Sequence, residues 1–326
     1  MPSTPPIAPV KPPALQPGDM VGIVAPASNI KRELLESGCQ ALRALGYKPF
    51  YFDSILEQDI YFAGSVQRRV RELEEMFTRP EIRAVVCARG GYGANYLLNK
   101  LDIEKIRSHP KIFVGYSDVT TLLTYFADAA GLVTFHGPMI TKDFSHSGGV
   151  DVGSWQAALG GKPEWSVGAE SGVKPLVEGY AEGILYGGCL SMLVASLGTP
   201  YEIQTKGTIL FIEDVAAKPF QIDRMLMHLK LAGKLRDLRG IIFGEMLDCV
   251  PSRDQDYTLE QVVLRVGGDL GLPVAFGLRS GHVTRGNVTL PIGVRAELNV
   301  SQAGVRLRML EAATVWEKQS AKGTEF

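Results

Sequence analysis

The segment Lys111-Ile112-Phe113-Val114-Gly115-Tyr116-Ser117-Asp118-Val119 carries a short apolar run through Gly-x-Ser into Thr120-Thr121-Leu122-Leu123, the pattern of a strand turning into a helix. A serine on such a turn has its hydroxyl lifted clear of the sheet, and the amides at the helix start can stabilise charge that develops in acyl transfer. Val119 stands where the second glycine of a G-x-S-x-G elbow would fall, and a Ser-Asp pair before an apolar run also serves as a helix N-cap. Chemistry at Ser117 therefore needs partners. A serine hydroxyl is a poor nucleophile at neutral pH and requires an imidazole to take its proton and a carboxylate to orient that imidazole. Thr208-Ile209-Leu210-Phe211-Ile212-Glu213-Asp214, an apolar strand ending in two acids, and Gly277 to Asn287, a glycine-flanked loop holding His282, supply them. The order Ser, acid, His differs from the orders of chymotrypsin and subtilisin, but such a triad is defined by geometry. Adjacent strand residues face opposite ways, so only one of Glu213 and Asp214 can meet His282.

Of the five histidines, His109 lies in a polar turn, His146 in an aperiodic stretch and His228 within an amphipathic helix, all positions for surface or packing residues. His136, after a β-rich run and before Gly-Pro, suits a structural or a substrate-contacting role. His282, between Gly281 and the Thr284-Arg285-Gly286 turn, suits a mobile, exposed catalytic imidazole. The turn Arg89-Gly90-Gly91-Tyr92-Gly93 follows a strand and could cradle a phosphate. It lacks the Walker lysine and the G-x-G-x-x-G spacing, and its glycines would instead let backbone amides approach a carbonyl oxygen.

These residues lie in motifs that resemble a known family. Gly18-Asp19-Met20-Val21-Gly22-Ile23-Val24-Ala25-Pro26-Ala27-Ser28, Ala88-Arg89-Gly90-Gly91-Tyr92-Gly93, Gly115-Tyr116-Ser117-Asp118, Phe135-His136-Gly137-Pro138, Glu182-Gly183-Ile184-Leu185-Tyr186-Gly187-Gly188, Phe211-Ile212-Glu213-Asp214, Gly281-His282 and Leu290-Pro291-Ile292-Gly293 together resemble the serine LD-carboxypeptidases. These are the muramoyl-tetrapeptide carboxypeptidases of peptidoglycan recycling, with the microcin C self-immunity peptidases as close relatives. The resemblance implies Ser117, Glu213 and His282 as the triad, favouring Glu213 over Asp214, and places the Arg89–Gly93 turn beside the nucleophile. The amides of Gly91 and Asp118 are then the expected oxyanion hole. A carboxypeptidase must also recognise a free carboxylate, for which Arg89 and Arg285 are candidates. One departure stands out: Cys189 follows the paired glycines where the family pattern has asparagine.

Composition narrows the alternatives. The 326 residues are 45% hydrophobic and 21% charged, enough for a large core and long enough for two domains. Lys plus Arg number 34 against 35 for Asp plus Glu, so no charge excess attracts nucleic acid or an anionic membrane. The proline-rich start lacks the apolar core of a secretory signal, and no window approaches a membrane span. Four dispersed cysteines without C-x-x-C spacing read as reduced thiols, and no metal or cofactor is expected.

The elements that must position these residues follow from periodicity. Strand-like runs at 21–25, 84–88 and 112–115 alternate with helical periods at 32–45 and 66–77, which predicts a parallel sheet covered on both faces. The fold class expected is α/β: an N-terminal parallel-sheet, flavodoxin- or amidotransferase-like domain, then a smaller mixed α/β, β-rich C-terminal domain, with the active site at their interface. The domains are 1–142, including a proline-rich arm at 1–17, and 175–318. An aperiodic Gly, Ser and Trp-rich connector spans 143–174 and a polar tail 319–326. In the second half, runs at 208–212, 240–243 and 294–300 predict strands. A helix over 219–231 has Phe220, Ile222, Met225, Leu226, Leu229 and Leu231 on one broad face, Pro219 at its start and Gly233 past its end.

The function expected is a cytoplasmic serine carboxypeptidase that releases terminal D-alanine from murein tetrapeptide through an acyl-enzyme. Its expected partners are a muropeptide substrate and a second copy of the chain. A microcin C-type peptidyl-nucleotide peptidase is the nearest alternative, although the 96 positions from Ser117 to Glu213 are few for that branch's longer inserted loop. A non-catalytic module binding a ligand in the interdomain cleft is the alternative of a different class.

Overall fold

The computed structural model describes residues 8–316. Its first half runs β1 (Met20–Val24), α1 (Arg32–Ala44), β2 (Lys48–Phe50), α2 (Val66–Thr78), β3 (Ile82–Cys87), α3 (Ile103–Ser108), β4 (Ile112–Gly115), α4 (Thr120–Ala130) and β5 (Thr134–His136). The chain continues through α5 (Val152–Leu159), β6 (Trp165–Val167), β7 (Lys174–Val177), β8 (Gly179–Cys189), α6 (Leu190–Ala195), β9 (Thr208–Glu213), α7 (Pro219–Leu231) and β10 (Gly240–Gly244). It ends with α8 (Leu259–Gly267), β11 (Val274–Leu278), β12 (Leu290–Ile292), β13 (Arg295–Ser301) and β14 (Gly304–Met309).

Within the described residues these strands build two sheets. The first has the order β12-β5-β4-β3-β1-β2, with β1 to β5 parallel. The second has the order β6-β14-β13-β8-β9-β10-β11-β7, parallel through β8, β9, β10 and β11 and antiparallel outside them. The strands β4 and β9, apolar but for Thr208 and Glu213 at the ends of β9, are buried along their whole length, as strands of a doubly covered parallel sheet must be. In α1, Leu35, Cys39 and Leu42 recur at helical spacing and are no more than 2% exposed. Burying each such leucine contributes roughly 1.5–3 kcal/mol, which fixes the helix against the sheet.

The strand β12 binds the halves together. It follows β11 of the second sheet in sequence, yet pairs antiparallel with β5 of the first, Leu290 opposite His136. The loop carrying His282 is therefore tethered at one end to each sheet.

Two local expectations differ from the structure, and the arm shows a docking the sequence does not predict. The stretch 143–174 contains α5, capped by Asp151 Oδ1 accepting from Ser154 N at 2.8 Å, together with β6. The helix α7 has the predicted bounds, but Phe220 and Leu231 of the expected face are 57% and 80% exposed, so burial falls to Ile222, Leu226 and Leu229. The described part of the proline-rich arm is docked: Val10 N donates to Gly131 O at 2.7 Å and Ala14 N to Val315 O at 2.8 Å. The tail expected at 319–326 lies outside the described residues.

Candidate active site

Ser117 opens a short 3₁₀ turn, residues 117–119, between β4 and α4, with φ of 62°. The left-handed region costs a non-glycine residue roughly 1–3 kcal/mol and persists only where the surroundings enforce it. Here the enforcement is visible. Gly90 packs directly on the serine, since a Cβ at Gly90 would stand 2.7 Å from Ser117 Cβ and 3.0 Å from its Oγ. The buried Asp118 carboxylate accepts from Ala94 N at 2.7 Å, tying the elbow to the end of the Arg89–Gly93 turn. Burial raises the Asp118 carboxyl to about 6, against the pull of the Ala94 amide and the Arg69 charge.

The glycine turn is held from beneath. Ser28 Oγ accepts from Tyr92 N at 3.0 Å, and the buried Arg69 donates to Pro26 O at 2.7 Å and Gly93 O at 2.8 Å. Amides of this turn are thus kept rigid beside Ser117.

Glu213 ends β9 at 1% exposure. Its Oε2 accepts from His282 Nδ1 at 2.7 Å and from His282 N at 3.0 Å. Gly281 makes this approach possible: with φ of 94°, a Cβ there would sit 2.5 Å from Glu213 Oε2. Burial alone would raise the Glu213 carboxyl, but the His282 charge, the nearby His136 imidazole and the His282 hydrogen bond outweigh it and hold the carboxyl at about 2. Burial likewise works to lower His282, and the Glu213 charge and hydrogen bond override it, so His282 titrates above the ordinary 6.5. With its Nδ1–H given to Glu213, the neutral ring presents Nε2 as a base. The Tyr116 ring, one residue before Ser117, meets the imidazole edge-on at 5.1 Å between centroids.

His282 is less exposed than its loop composition predicts, and its loop is clamped. Its side chain is 14% exposed, and Asn287 clamps the base of the loop, Gly281 N donating to its Oδ1 at 3.0 Å and its Nδ2 donating to Gly281 O at 3.1 Å. Asp214 does not meet the imidazole edge: its Oδ2 accepts from Ser191 N at 2.9 Å and its Oδ1 from Val215 N at 2.8 Å, capping the turn into α6. His136 is fully buried, with Nδ1 3.1 Å from Ser280 Oγ and Nε2 3.7 Å from Glu213 Oε1, so no part of its surface is open to a substrate. Arg89 and Arg285 are exposed, Arg89 donating to Asn29 O at 3.2 Å. Cys189 lies opposite Glu213 in the β8–β9 register; its N donates to Thr120 Oγ1 at 3.0 Å, and burial holds its thiol far above the usual range. All four cysteines are free and buried.

A cavity of about 780 Å³ borders the turn after Ser117, lined in part by Tyr92, Tyr96, Asp118, Thr121, Met192 and Tyr201; Ser117, Glu213 and His282 do not line it. Among the described residues no helix is long and apolar enough to cross a membrane. The supporting residues Arg69, Ser28 and Asn287 were not singled out by sequence. Arg69 carries no local signal, whereas Ser28 and Asn287 lie inside segments that were.

Residues 21–137 match the LD-carboxypeptidase N-terminal domain, and residues 182–298 match the LD-carboxypeptidase C-terminal domain. A protein named "Probable murein peptide carboxypeptidase" from Bacillus subtilis (strain 168) is 42% identical over 298 residues, covering 90% of this chain and 92% of that protein. The crystal structure of a muramoyltetrapeptide carboxypeptidase from Oxalobacter formigenes superposes with a TM-score of 0.81 at 29% identity, covering 92% of this chain and all of that one. The microcin C7 self-immunity protein MccF of Escherichia coli is 28% identical over 89% of this chain and 93% of its own length. A structure of MccF with glutamyl sulfamoyl guanosine shares the fold, with a TM-score of 0.87 at 24% identity over 94% of this chain and all of that one.

Proposed function

The chain belongs to the LD-carboxypeptidase family and is a serine-type LD-carboxypeptidase, and from that premise we propose that it releases the terminal D-alanine of a murein tetrapeptide in peptidoglycan recycling. Ser117 is the nucleophile, His282 the general base and then acid, and Glu213 the group that orients the imidazole. The observation that carries this reading is the 2.7 Å contact of Glu213 with His282 Nδ1, which leaves Nε2 as the base, on a ring that meets Tyr116, the residue before a serine held at a left-handed φ.

In the first step Ser117 Oγ attacks the carbonyl preceding D-alanine while its proton passes to His282 Nε2. The oxyanion is met by the amides of Gly91 and Asp118, preorganised donors in a site with little water. Collapse expels the D-alanine amine, which takes the proton from His282, and leaves an ester on Ser117. Water, deprotonated by the same imidazole, then releases the shortened peptide. Arg89 and Arg285 are the proposed contacts for the terminal carboxylate. A cytoplasmic location and a homodimer belong to the same proposal.

The test is to incubate the enzyme with muropeptides ending in one or two D-alanines, an all-L peptide and an aminoacyl-sulfamoyl nucleotide, following products by mass spectrometry. The tetrapeptide should lose D-alanine and the pentapeptide should be spared, because polar groups built for a terminal carboxylate are left unpaired when the chain extends past them. Faster cleavage of the pentapeptide, or of the nucleotide conjugate alone, would contradict the substrate assignment.

A further inference from the structure

His136, the last residue of β5, lies between the rings of Tyr116 and Phe211, 5.9 and 4.9 Å away between centroids. Its Nε2 points at Glu213 Oε1 across 3.7 Å. Both atoms are shut away from water, and among the described residues neither has a hydrogen-bond partner. Oε1 is the carboxylate oxygen that His282 does not use, since both of that residue's bonds go to Oε2. A buried donor and a buried charged acceptor facing each other complete their bonding by closing roughly 1 Å, and an orphaned carboxylate oxygen would otherwise carry a full desolvation penalty.

We infer that His136 is a positioning residue for the reaction: its Nε2–H holds Glu213 Oε1, and so fixes the carboxylate plane in which Oε2 is presented to His282. The inference rests on the triad proposed above. Two further contacts fix the ring. Ser280 Oγ lies 2.8 Å from Val288 O and 3.1 Å from Nδ1 and has one proton for the two; turned to Nδ1, that proton selects the tautomer with Nε2–H, and Leu290 of β12 pairs with the His136 backbone. Ser280 lies two residues before His282, so one short segment carries the base and anchors the residue that orients its partner.

The remaining ionisable groups around this pair come from several elements. Asp214 neighbours Glu213, Lys142 lies in the π-helical turn at 140–144, and the Tyr116 hydroxyl is directed at Asp143 Oδ1 at 3.5 Å. The thiols of Cys189 and Cys249 lie within reach of the Glu213 charge. A donor on Oε1 draws charge from the carboxylate. Removing that donor strengthens the pull of Glu213 on the His282 proton, and the pH at which activity rises moves up.

Two substitutions separate positioning from packing. His136→Phe keeps a ring between Tyr116 and Phe211 and loses the donor; His136→Gln loses the ring and keeps an N–H that reaches Oε1. The expected result is a kcat loss of roughly tenfold to a hundredfold in His136→Phe, equivalent to about 1.4–2.7 kcal/mol, with the midpoint of the kcat/KM pH profile shifted upward. His136→Gln should keep the wild-type midpoint and stay within about threefold in kcat, under 1 kcal/mol. Wild-type rate and midpoint in His136→Phe, or a His136→Gln enzyme no better than His136→Phe, would overturn the inference. If neither variant folds by circular dichroism, ¹⁵N-histidine spectra of the wild type decide: a proton on His136 Nε2 supports it and a bare Nε2 overturns it. Ser117→Ala, assayed alongside, separates the two claims, because an active Ser117→Ala enzyme would refute the triad itself.

Discussion

At the scale of single residues, the site turns on how one buried carboxylate is balanced. Glu213 is at 1% exposure, where an isolated charge would be expensive, and it is kept ionised by the imidazole it serves. The pair couples stability and activity to pH in opposite senses. The Glu213 carboxyl is depressed, so its stabilising contribution is present above the ordinary 4.5 and lost as pH falls through about 2. His282 is raised, so its contribution is complete below 6.5 and is lost as pH rises through its folded value, which is where the neutral base needed for catalysis appears. The rate should therefore rise with pH through one ionisation whose midpoint lies above that of a free histidine. Glu213→Gln removes the anion that raises His282 and leaves burial to lower it, so the midpoint should fall below the wild-type value, with kcat reduced by roughly 10²–10⁴. A profile flat across the histidine range, or an unmoved midpoint in Glu213→Gln, would show that His282 is not the base.

At the scale of elements, the histidine loop is the part most exposed to failure. Its ends belong to different sheets, and Asn287, with no solvent exposure, makes both cross-loop hydrogen bonds to Gly281. Asn287→Ala should lower the melting temperature, with a stability loss of about 1–3 kcal/mol for the orphaned backbone groups. It should also reduce kcat at least as much as His136→Phe, because Gly281 would no longer hold His282 against Glu213. A variant that melts lower yet turns over at the wild-type rate would show that the clamp supports only the fold. Much of this layer was legible in the sequence. The strand into Ser117, the strand into Glu213 and the bounds of α7 follow from apolar period and from Pro219 and Gly233. What escaped depends on distant chain. The strand β12 is three residues with a central proline and has no period to read, and its pairing with β5 is a tertiary choice. The helix α5 was hidden in a Gly and Ser-rich stretch, although Asp151 and Ser154 at capping spacing mark its start. Arg69 lies on a helix in charged sequence, and only the fold reveals that it holds Gly93.

At the scale of the molecule, the proposed nucleophile and base stand on segments that the join between two sheets ties together. The helix α4 leads from the Ser117 elbow and is fastened to the second half at both ends, Cys189 N donating to Thr120 Oγ1 at 3.0 Å and the Tyr186 hydroxyl to Asp128 Oδ2 at 2.7 Å. Cys189 acts there through its backbone, so a cysteine in place of the family's asparagine leaves this contact intact. Length and alternating period were enough to expect two halves with a parallel sheet in the first, while the interlocking through β12 was not readable from composition. The division at 143–174 remains a proposal about domains. The measurement that bears most directly on the central claim is covalent: react the folded enzyme with a fluorophosphonate and map the adduct by peptide mass spectrometry. A single modification on Ser117, with activity lost in proportion, no adduct in Ser117→Ala and slowed labelling in His282→Ala, is the result predicted. Full inactivation with the adduct on another residue, or murein tetrapeptide hydrolysis surviving complete modification of Ser117, would contradict it.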